Sequence, residues 1–349
     1  MFRTINRATR AAADLLDEQL ADMVWPVVPG QSLRALVDAG CDALPMPGSG
    51  DTLSRWKTLA KVGAADLGLA KLFEGHTDAL AILAELHGAA GPLAGSRWGV
   101  WCAEPPQYRV GITCLTDGRV ELNGIKAWCS GALDLTHALV SGWDRAGRPC
   151  LAALHLDQAG VTMIDPGWHA VGMRTSATVN VRFDRVFGTL VGAPGAYVDR
   201  PGFLHGGAGV AACWYGGVTR VAQRLRLAAS APSGLEHVDP FRLAHLGAAD
   251  TALAQARAVL REAASAIDAA PDDGCALVTA RARLAVEAAA EEVLLRAARA
   301  LGAGPMCQDA AFAQAMADLP VFIRQSHAER DQAAHGALVA ALTEPPWIL

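Results

Sequence analysis

The chain has 349 residues, of which 52% are hydrophobic and 19% are charged, and its formal net charge is −5. This composition excludes an intrinsically disordered chain, because such chains are poor in apolar residues and rich in charge. It also argues against a nucleic-acid-binding protein, which would normally carry a basic domain.

The first predicted domain, residues 1–96, is helical. Apolar residues recur there at three-and-four spacing, which is typical of packed helices. The predicted helices are Ala11–Val24, Gln31–Ala39, Asp51–Leu72 and Thr77–Gly88. The N-terminus lacks the apolar core of a secretory signal, and no apolar run is long enough to span a membrane. We therefore expect a cytoplasmic protein with no membrane partner.

The second predicted domain, residues 97–200, is built from β-strands. Hydrophobic side chains alternate with a period of two around Ile112, Ala153 and Val181. The pair Asn123–Gly124 predicts a hairpin turn, because both residue types tolerate positive φ. Strands that recur roughly every ten residues predict a small antiparallel barrel or sandwich.

The third predicted domain, residues 201–349, returns to helix. Its predicted helices are Gly207–Ala229, Pro240–Ala269, Ala276–Leu301 and Ala310–His335. Long helices with short connections are typical of a four-helix bundle. The predicted fold class is therefore α+β, with a helical domain, a β-domain and a four-helix bundle in that order.

The cysteines indicate neither a metal site nor a disulfide scaffold. The chain has eight of them, and no two form a C-x-x-C pair. Eight in 349 residues is too sparse for a disulfide-rich fold. We expect reduced, mostly buried thiols and no metal.

Three segments carry a resemblance to a known family. They are Trp98–Pro105 (WGVWCAEP), Leu122–Gly131 (LNGIKAWCSG) and Val171–Val186 (VGMRTSATVNVRFDRV). Their order and spacing resemble the acyl-CoA dehydrogenase superfamily of flavoproteins. The resemblance implies that family's three-part fold, an FAD between the β-domain and the C-terminal bundle, and a homodimer or homotetramer.

The residues of the second segment suit a flavin. An isoalloxazine ring is flat, apolar on its faces and polar on one edge, so its site needs an aromatic wall and hydrogen-bond donors. Trp128 can supply the wall, and the backbone of Cys129 and the hydroxyl of Ser130 can supply the donors. The alternative is that Trp128 only fills the core beneath a hairpin.

The resemblance extends these assignments to further residues. It implies that Ser130 approaches the reactive flavin nitrogen and that Cys102 and Ala103 contact the pyrimidine end of the ring, with Ala103 in place of the usual Thr. It also implies that Gly302 and Gly304 let the backbone approach the cofactor, although a plain helix C-cap is the alternative.

The sequence departs from the family's pattern at the other cofactor contacts. The Ala-Gly-Ser-Asp loop that normally follows Glu-Pro is missing, and Pro105–Arg109 leads directly into a strand. Val238 stands where the family has an Arg that reaches the FAD pyrophosphate. Arg242 could compensate from a nearby position.

The expected catalytic carboxylate is also missing. The resemblance places a Glu eight residues after an Arg-Asp pair, but the pair is Ala317–Asp318 and the Glu position is Ser326. The first bundle helix offers no Asp or Glu as a substitute. Three alternatives remain: His327 is the base, since imidazole titrates near neutral pH, Glu329 reaches in, or no proton is abstracted.

The candidate catalytic residues are therefore His327 and Ser326. A structural role is also open for His327, because Asp331 lies four residues later and would share a helix face with it.

The resemblance implies an FAD-dependent oxidoreductase acting on a CH–CH bond of an acyl thioester, either an acyl-CoA or a carrier-protein-linked acyl group. Electrons would pass to an external acceptor. Two alternatives stay open. One is a flavin monooxygenase of the same superfamily that takes reduced flavin from a partner reductase, and the other is a non-catalytic paralogue.

Overall fold

The computed structural model describes residues 14–86, 93–164, 168–230 and 239–348. These residues form two compact units. The first draws on the described residues within 1–44, 68–170 and 174–203, and the second on those within 45–67, 171–173 and 204–349. The predicted domain boundaries at residues 96/97 and 200/201 stay predictions.

The described helices follow one another along the chain in two groups. Before the strands lie α1 (14–21), α2 (Pro29–Asp38), α3 (Thr52–Ala65) and α4 (Leu67–Glu85). After the strands lie α5 (Ala196–Asp199), α6 (Pro201–Ser230), α7 (Pro240–Ala269), α8 (Ala276–Leu301), α9 (Ala303–Gln308), α10 (Ala310–Phe322) and α11 (Glu329–Ala340). None of these helices combines the length and apolarity that crossing a membrane requires.

The predicted break between two N-terminal helices lies in a different place. The stretch Asp51–Leu72 was expected to be one helix, but Asp66 has extended backbone angles (φ −160°, ψ 134°) and separates α3 from α4. Aspartate competes with the helical backbone for hydrogen bonds, which favours an interruption there. The predicted helix Thr77–Gly88 is the second half of α4, and its last residues lie outside the described part of the chain.

The β-strands form a closed sheet in the first unit. The strands are β1 (Trp98–Trp101), β2 (Val110–Cys114), β3 (Arg119–Cys129), β4 (His137–Trp143), β5 (Pro149–His155), β6 (Val161–Ile164) and β7 (Val179–Leu190). The order β4-β2-β3-β7-β5 closes because β5 also pairs with β4, while β1 joins β4 and β6 joins β7. The predicted barrel is confirmed, with the addition that β4 pairs in parallel with both β1 and β2.

The predicted hairpin turn at Asn123–Gly124 is wrong. Both residues lie inside β3, and the chain turns earlier, at Gly118, which has a φ of 84°. Gly124 instead sits at a register shift between β3 and β7. A Cβ on Gly124 would meet the carbonyl oxygen of Arg109 at 2.1 Å. The glycine is therefore required by a close strand contact rather than by a turn.

A helix covers one face of the sheet in the first unit. Side chains of α4 (Ala79, Ile82 and Leu83) pack against Trp98 of β1 and Leu139 of β4. Each is nearly or fully removed from solvent. Burial of this apolar face fixes α4 on the sheet, since each buried aliphatic side chain contributes about 1.5–3 kcal/mol.

Small residues bring two helices of the second unit close together. A Cβ on Gly216 of α6 would meet the carbonyl oxygen of Ala60 at 2.0 Å, and one on Gly63 of α3 would meet that of Cys213 at 2.3 Å. Only a residue without a side chain allows this backbone approach. The core beside it contains Trp214 and Phe322, whose rings meet edge to face at 6.4 Å.

Two of the four predicted C-terminal helices, α7 and α8, have the predicted bounds, and α6 begins earlier than predicted. The predicted helix Ala310–His335 is wrong as one element. It ends at Phe322, a 3-10 turn follows, and Ser326 is extended (φ −76°, ψ 147°) before α11 begins at Glu329. Pro320 lacks the N–H that would continue the helical ladder, which weakens α10 close to its end.

The cysteines of the described residues are all unpaired in this structure. Four are buried, two are half-buried and two are exposed. The exposed pair, Cys114 and Cys307, differs from the expectation that most thiols are buried.

Candidate functional site

Parts of all three segments that carry the family resemblance lie together in the first unit. The indole Nε1 of Trp101, at the end of β1, donates to the carbonyl oxygen of Ser130 at 3.2 Å. The N–H of Gly131, just after β3, donates to the carbonyl oxygen of Ser176 at 2.9 Å. We call this region the motif edge: residues 101–104, 126–131 and 174–180.

Trp128 projects from the motif edge into solvent. Its backbone has a φ of 57°, and its N–H donates to Oδ1 of Asn180 at 3.2 Å. The position falls at a register shift between β3 and β7. The side chain is 52% exposed. The alternative that Trp128 fills the core beneath a hairpin is therefore wrong, and a broad aromatic surface is available to a ligand.

Hydroxyl groups follow Trp128 along the same edge. Oγ of Ser130 lies 2.9 Å from Oγ1 of Thr178, which lies 2.8 Å from Oγ of Ser176. Thr178 and Ser176 are buried, whereas Ser130 is half-buried. The neighbouring Thr175 carries a buried hydroxyl oxygen with no hydrogen-bond partner in the described part of the chain. This hydroxyl is therefore available to a hydrogen-bonding group.

An ion pair between the buried Lys126 and the partly exposed Glu104 holds the segment after β1 against β3. Nζ of Lys126 contacts Oε1 of Glu104 at 2.5 Å and Oγ of Ser141 at 2.8 Å. Trp143 donates from its indole Nε1 to Oε2 of Glu104 at 2.9 Å. Burial alone would raise the pKa of Glu104, but hydrogen bonds from these three side chains outweigh it and hold the pKa below its ordinary value. Lys126 is therefore structural, a role that the sequence leaves undecided.

Cys102 and Ala103 follow β1 in an extended segment and are half-buried. Burial raises the pKa of the Cys102 thiol, so this side chain stays protonated and neutral. Cys129 points into the core, where its Sγ lies 3.4 Å from the carbonyl oxygen of Lys126 and burial again raises the pKa of the thiol. Only the backbone of Cys129 can therefore serve a ligand at the surface.

The two predicted catalytic residues lie in the second unit, in the break between α10 and α11. Ser326 is buried, and its Oγ donates to Oε2 of Glu287 on α8 at 2.5 Å. The other oxygen of Glu287 lies 2.7 Å from Nη2 of Arg324. Ser326 thus anchors the break to α8, and it is not presented at the surface of the second unit.

His327 is exposed and paired within its own segment. Its backbone N–H donates to Oδ2 of Asp331 at 3.0 Å, and its ring Nδ1 lies 3.5 Å from Oδ1 of the same carboxylate. The pairing that the sequence allows between these residues is confirmed, although its geometry is that of a helix start rather than of one helix face. Glu329 begins α11 two residues later. Whether His327 acts as a base stays a prediction.

The two glycines assigned to the cofactor also lie in the second unit. Gly302 ends α8 with a φ of 65°, and its N–H donates to the carbonyl oxygen of Ala298 at 3.0 Å. This is the C-cap geometry that the sequence leaves open as an alternative. Gly304 lies in α9 and is exposed, with open space around it. Their cofactor role stays a prediction.

The pyrophosphate contact is likewise untested. Val238 lies outside the described residues. Nη1 of Arg242 donates to the carbonyl oxygen of Ala228 at 3.1 Å, while its Nε is buried without a partner among the described residues.

Sequence reasoning missed two polar residues that the structure shows to be important. Thr178 is the middle of the hydroxyl chain, and its only sequence signal is its place two residues after Ser176. Asp318 accepts hydrogen bonds at Oδ1 from the N–H of Met173 (2.5 Å) and from Nε2 of Gln314 (2.7 Å). It thereby supports Met173, whose φ of 56° is unusual for a side chain of that size.

No protein-family profile matches the chain, and no curated protein matches it. Solved structures do resemble it. Butyryl-CoA dehydrogenase from Megasphaera elsdenii is 16% identical over 95% of this chain and 98% of that chain, with a TM-score of 0.83. TdsC from Paenibacillus sp. A11-2, solved with FMN and indole, is 21% identical over 97% and 99%, with a TM-score of 0.82.

Another similar structure is methanesulfinate monooxygenase MsuC from Pseudomonas fluorescens. It is 20% identical over 97% of this chain and 98% of that chain, with a TM-score of 0.79. These similarities span both units and nearly the whole length of every chain compared. The chain therefore has the acyl-CoA dehydrogenase fold.

Proposed function

We propose that this protein is a flavin-dependent oxidoreductase whose ring-binding surface is the motif edge. The observation that supports this most strongly is the convergence of three separate sequence segments around an exposed Trp128. Bulky aromatic side chains are normally buried, and an exposed one beside convergent polar groups is typical of a ligand site.

The residues of the motif edge fit a flavin. Trp128 offers an aromatic face, the half-buried Ser130 offers a hydroxyl, and Thr175 keeps a buried hydroxyl oxygen that needs a partner. Oxidised flavin, when bound, supplies a two-electron acceptor. The Lys126–Glu104 pair keeps the segment that follows β1 against β3, which would hold the polar groups in place for the edge of the ring.

In its finer form, the proposal is oxidation of a CH–CH bond in an acyl thioester, with electrons leaving to an external acceptor. That reaction needs a base to take the α-proton. His327 is the candidate base, because its side chain is 63% exposed and its ring Nδ1 lies 3.5 Å from a carboxylate oxygen of Asp331. FAD is the proposed cofactor and a homodimer or homotetramer the proposed assembly.

A second function is favoured by a specific observation, the absence of a carboxylate where a dehydrogenase would need one. Residues 204–230 contain no Asp or Glu. Ser326 stands at the other expected position, where its hydroxyl is engaged by Glu287. A flavin monooxygenase supplied with reduced flavin by a partner reductase requires no such base. TdsC is named a dibenzothiophene monooxygenase and MsuC a methanesulfinate monooxygenase.

The test starts with the colour of the purified protein and anaerobic titrations with FAD and with FMN. Saturable binding of either flavin supports the proposal, and no binding of either supports a non-catalytic paralogue. Bleaching of bound flavin by an acyl-CoA panel without oxygen identifies the dehydrogenase. Oxygen consumption that requires added reduced flavin identifies the monooxygenase. Loss of bleaching in His327→Ala, with flavin binding unchanged, would assign the base.

A further inference from the structure

We propose that His137 and His155 form a two-histidine site for a divalent transition-metal ion of the Zn²⁺ type on the sheet of the first unit. This site is independent of the proposed flavin function. His137 begins β4 and His155 ends β5, and the two residues lie opposite each other in the antiparallel register. The expectation of no metal considered spacing along the chain, which does not reveal residues that are paired across two strands.

The backbone brings these two side chains as close as an antiparallel sheet allows. The N–H of Leu156 donates to the carbonyl oxygen of Thr136 at 2.9 Å, which makes these two residues a hydrogen-bonded pair. The next pair, His137 and His155, is therefore a non-hydrogen-bonded pair, in which opposite side chains approach most closely. Their ring centroids are 4.8 Å apart, with 74° between the ring planes. Two imidazoles on one tetrahedral ion, with metal–nitrogen bonds of about 2.0–2.1 Å, have centroids roughly 5 Å apart.

The ring of His155 is held in the tautomer that binds metals. Its Nδ1 lies 3.2 Å from the carbonyl oxygen of Asp157. A carbonyl oxygen only accepts, so Nδ1 carries the proton and Nε2 of the neutral ring carries a lone pair. Histidines that bind metals commonly donate their other ring N–H to a backbone carbonyl in this way, which orients the ring. In the described part of the chain, no hydrogen bond engages Nε2 of His155.

The surroundings of His137 allow the same tautomer. Its Nδ1 lies 2.9 Å from Oγ1 of Thr136. The hydroxyl of Thr136 reaches the carbonyl oxygen of Arg97 at 3.1 Å, and when it donates there its oxygen accepts from Nδ1 of His137. Nε2 of His137 then carries the lone pair, as in His155. Imidazole nitrogens of this kind suit Zn²⁺, Cu²⁺ and Ni²⁺.

The His137 ring is also fixed by stacking, whereas His155 is exposed to solvent. The rings of His137 and Trp98 stack with centroids 4.6 Å apart and 23° between their planes. Trp98 is nearly buried, and its Nε1 donates to Oγ of Ser96 at 2.8 Å. A ligand that is already fixed loses little conformational entropy on binding, and the exposed His155 gives the ion access. No group of three or more His, Cys, Asp or Glu side chains suited to a metal occurs among the described residues, so water would complete the coordination.

The experiment is a calorimetric titration of the chelator-treated protein with Zn²⁺. His155→Gln should raise the Kd for Zn²⁺ at least about tenfold, because even the loss of a residue that only orients a metal ligand costs that much. His169→Gln removes another exposed histidine of the first unit and should leave the Kd unchanged. Zn²⁺ that binds the exposed thiols of Cys114 and Cys307 remains in both variants, so their difference isolates the histidine pair.

His137→Gln should have the same effect as His155→Gln, and the double variant should lose little more than either single variant, because one substitution already breaks the pair. If His137→Gln does not fold, the exposed His155 still carries the test. An absence of saturable Zn²⁺ binding by the unaltered protein, or an equal Kd in His155→Gln and His169→Gln, would overturn the inference.

Discussion

The motif edge and the break between α10 and α11 use similar residues for different purposes. At the motif edge, hydroxyls end in a half-buried Ser130 beside an exposed Trp128. In the break, Ser326 is buried and its hydroxyl donates to Glu287, which is itself paired with Arg324. The comparison teaches that a polar residue at a family's catalytic position is a poor guide to function. What its side chain contacts decides whether it is available to a ligand.

If the comparison is correct, the largest effect on flavin binding comes from the motif edge. Trp128→Ala should raise the Kd for flavin roughly 30-fold, because an aromatic anchor that a ligand covers contributes about 2 kcal/mol. Thermal unfolding should hardly change, since the side chain is 52% exposed. Isothermal titration with FAD and with FMN measures the effect.

The matched control is Trp347→Ala, which removes another exposed tryptophan, 74% exposed near the C-terminus. We expect no change in its flavin affinity. Equal loss in both variants would show that Trp128 has no special part in the site.

Substitutions in the second unit should change the stability of the protein rather than flavin binding at the motif edge. Gly216→Ala places a Cβ 2.0 Å from the carbonyl oxygen of Ala60, which forces α3 and α6 apart. We expect a loss of about 2 kcal/mol in the free energy of unfolding, measured in urea, as for other overpacked cores.

Gly247→Ala is the control for this substitution. Gly247 lies in α7 and is exposed, with no atom near the position of an added Cβ. Because alanine favours helix, we expect a gain of about 0.5–1 kcal/mol. A similar loss in both variants would contradict the close-approach argument.

A smaller loss of stability is expected from a substitution in the break between α10 and α11. Ser326→Ala removes the hydrogen bond to Glu287, which remains paired with Arg324. A hydrogen bond to a charged group contributes about 1–3 kcal/mol, and the remaining pairing leads us to expect the lower end of this range. Thermal unfolding is the measurement. Ser230→Ala, which removes an exposed hydroxyl on α6, should be neutral.

Measuring the turnover of Ser326→Ala tests whether the break has a structural or a catalytic role. If Ser326→Ala abolishes substrate oxidation while its unfolding temperature stays unchanged, Ser326 is catalytic and the contrast between the two regions is wrong.

The positions of helices and strands could be predicted from the sequence where the local pattern and the tertiary structure agree. Period-two alternation located β5 and β7, and proline and glycine breaks located α7 and α8. The prediction failed at Asn123–Gly124, because a close approach of Arg109 uses the glycine inside a strand. It also failed after Phe322. The helix ends there beside Pro320, and the following segment is held by contacts to α8 that no local pattern reveals.

The candidate site was predictable only in part. Trp128 and Ser130 could be proposed from the chemistry of a flavin ring and from a sequence motif. Thr178 could not, because its part depends on a 2.9 Å contact between the segment after β3 and the segment before β7. The structural role of Lys126 could not be assigned from the sequence, because its partner Glu104 lies 22 residues earlier. Long-range pairing of this kind leaves no periodic signal in the chain.

The smallest expected effect concerns Asp318, which supports Met173 through a backbone hydrogen bond. Burial raises the pKa of Asp318, and hydrogen bonds from Gln314 and Met173 only partly oppose it. The folded protein therefore disfavours the ionised carboxylate. Stability from this group is fully present below the unfolded pKa of about 3.9, and it is lost as the pH rises toward the folded pKa.

Asp318→Asn should remove that pH dependence and keep the contacts. The amide Oδ1 can still accept from Met173 and Gln314, and it carries no charge at any pH. We expect the free energy of unfolding of the variant, relative to the unaltered protein, to increase between pH 4 and pH 7. Asp250→Asn, at an exposed position of α7, should show no such trend. A constant deficit of Asp318→Asn across this range would mean that the charge itself, rather than the accepting oxygen, holds the Met173 backbone.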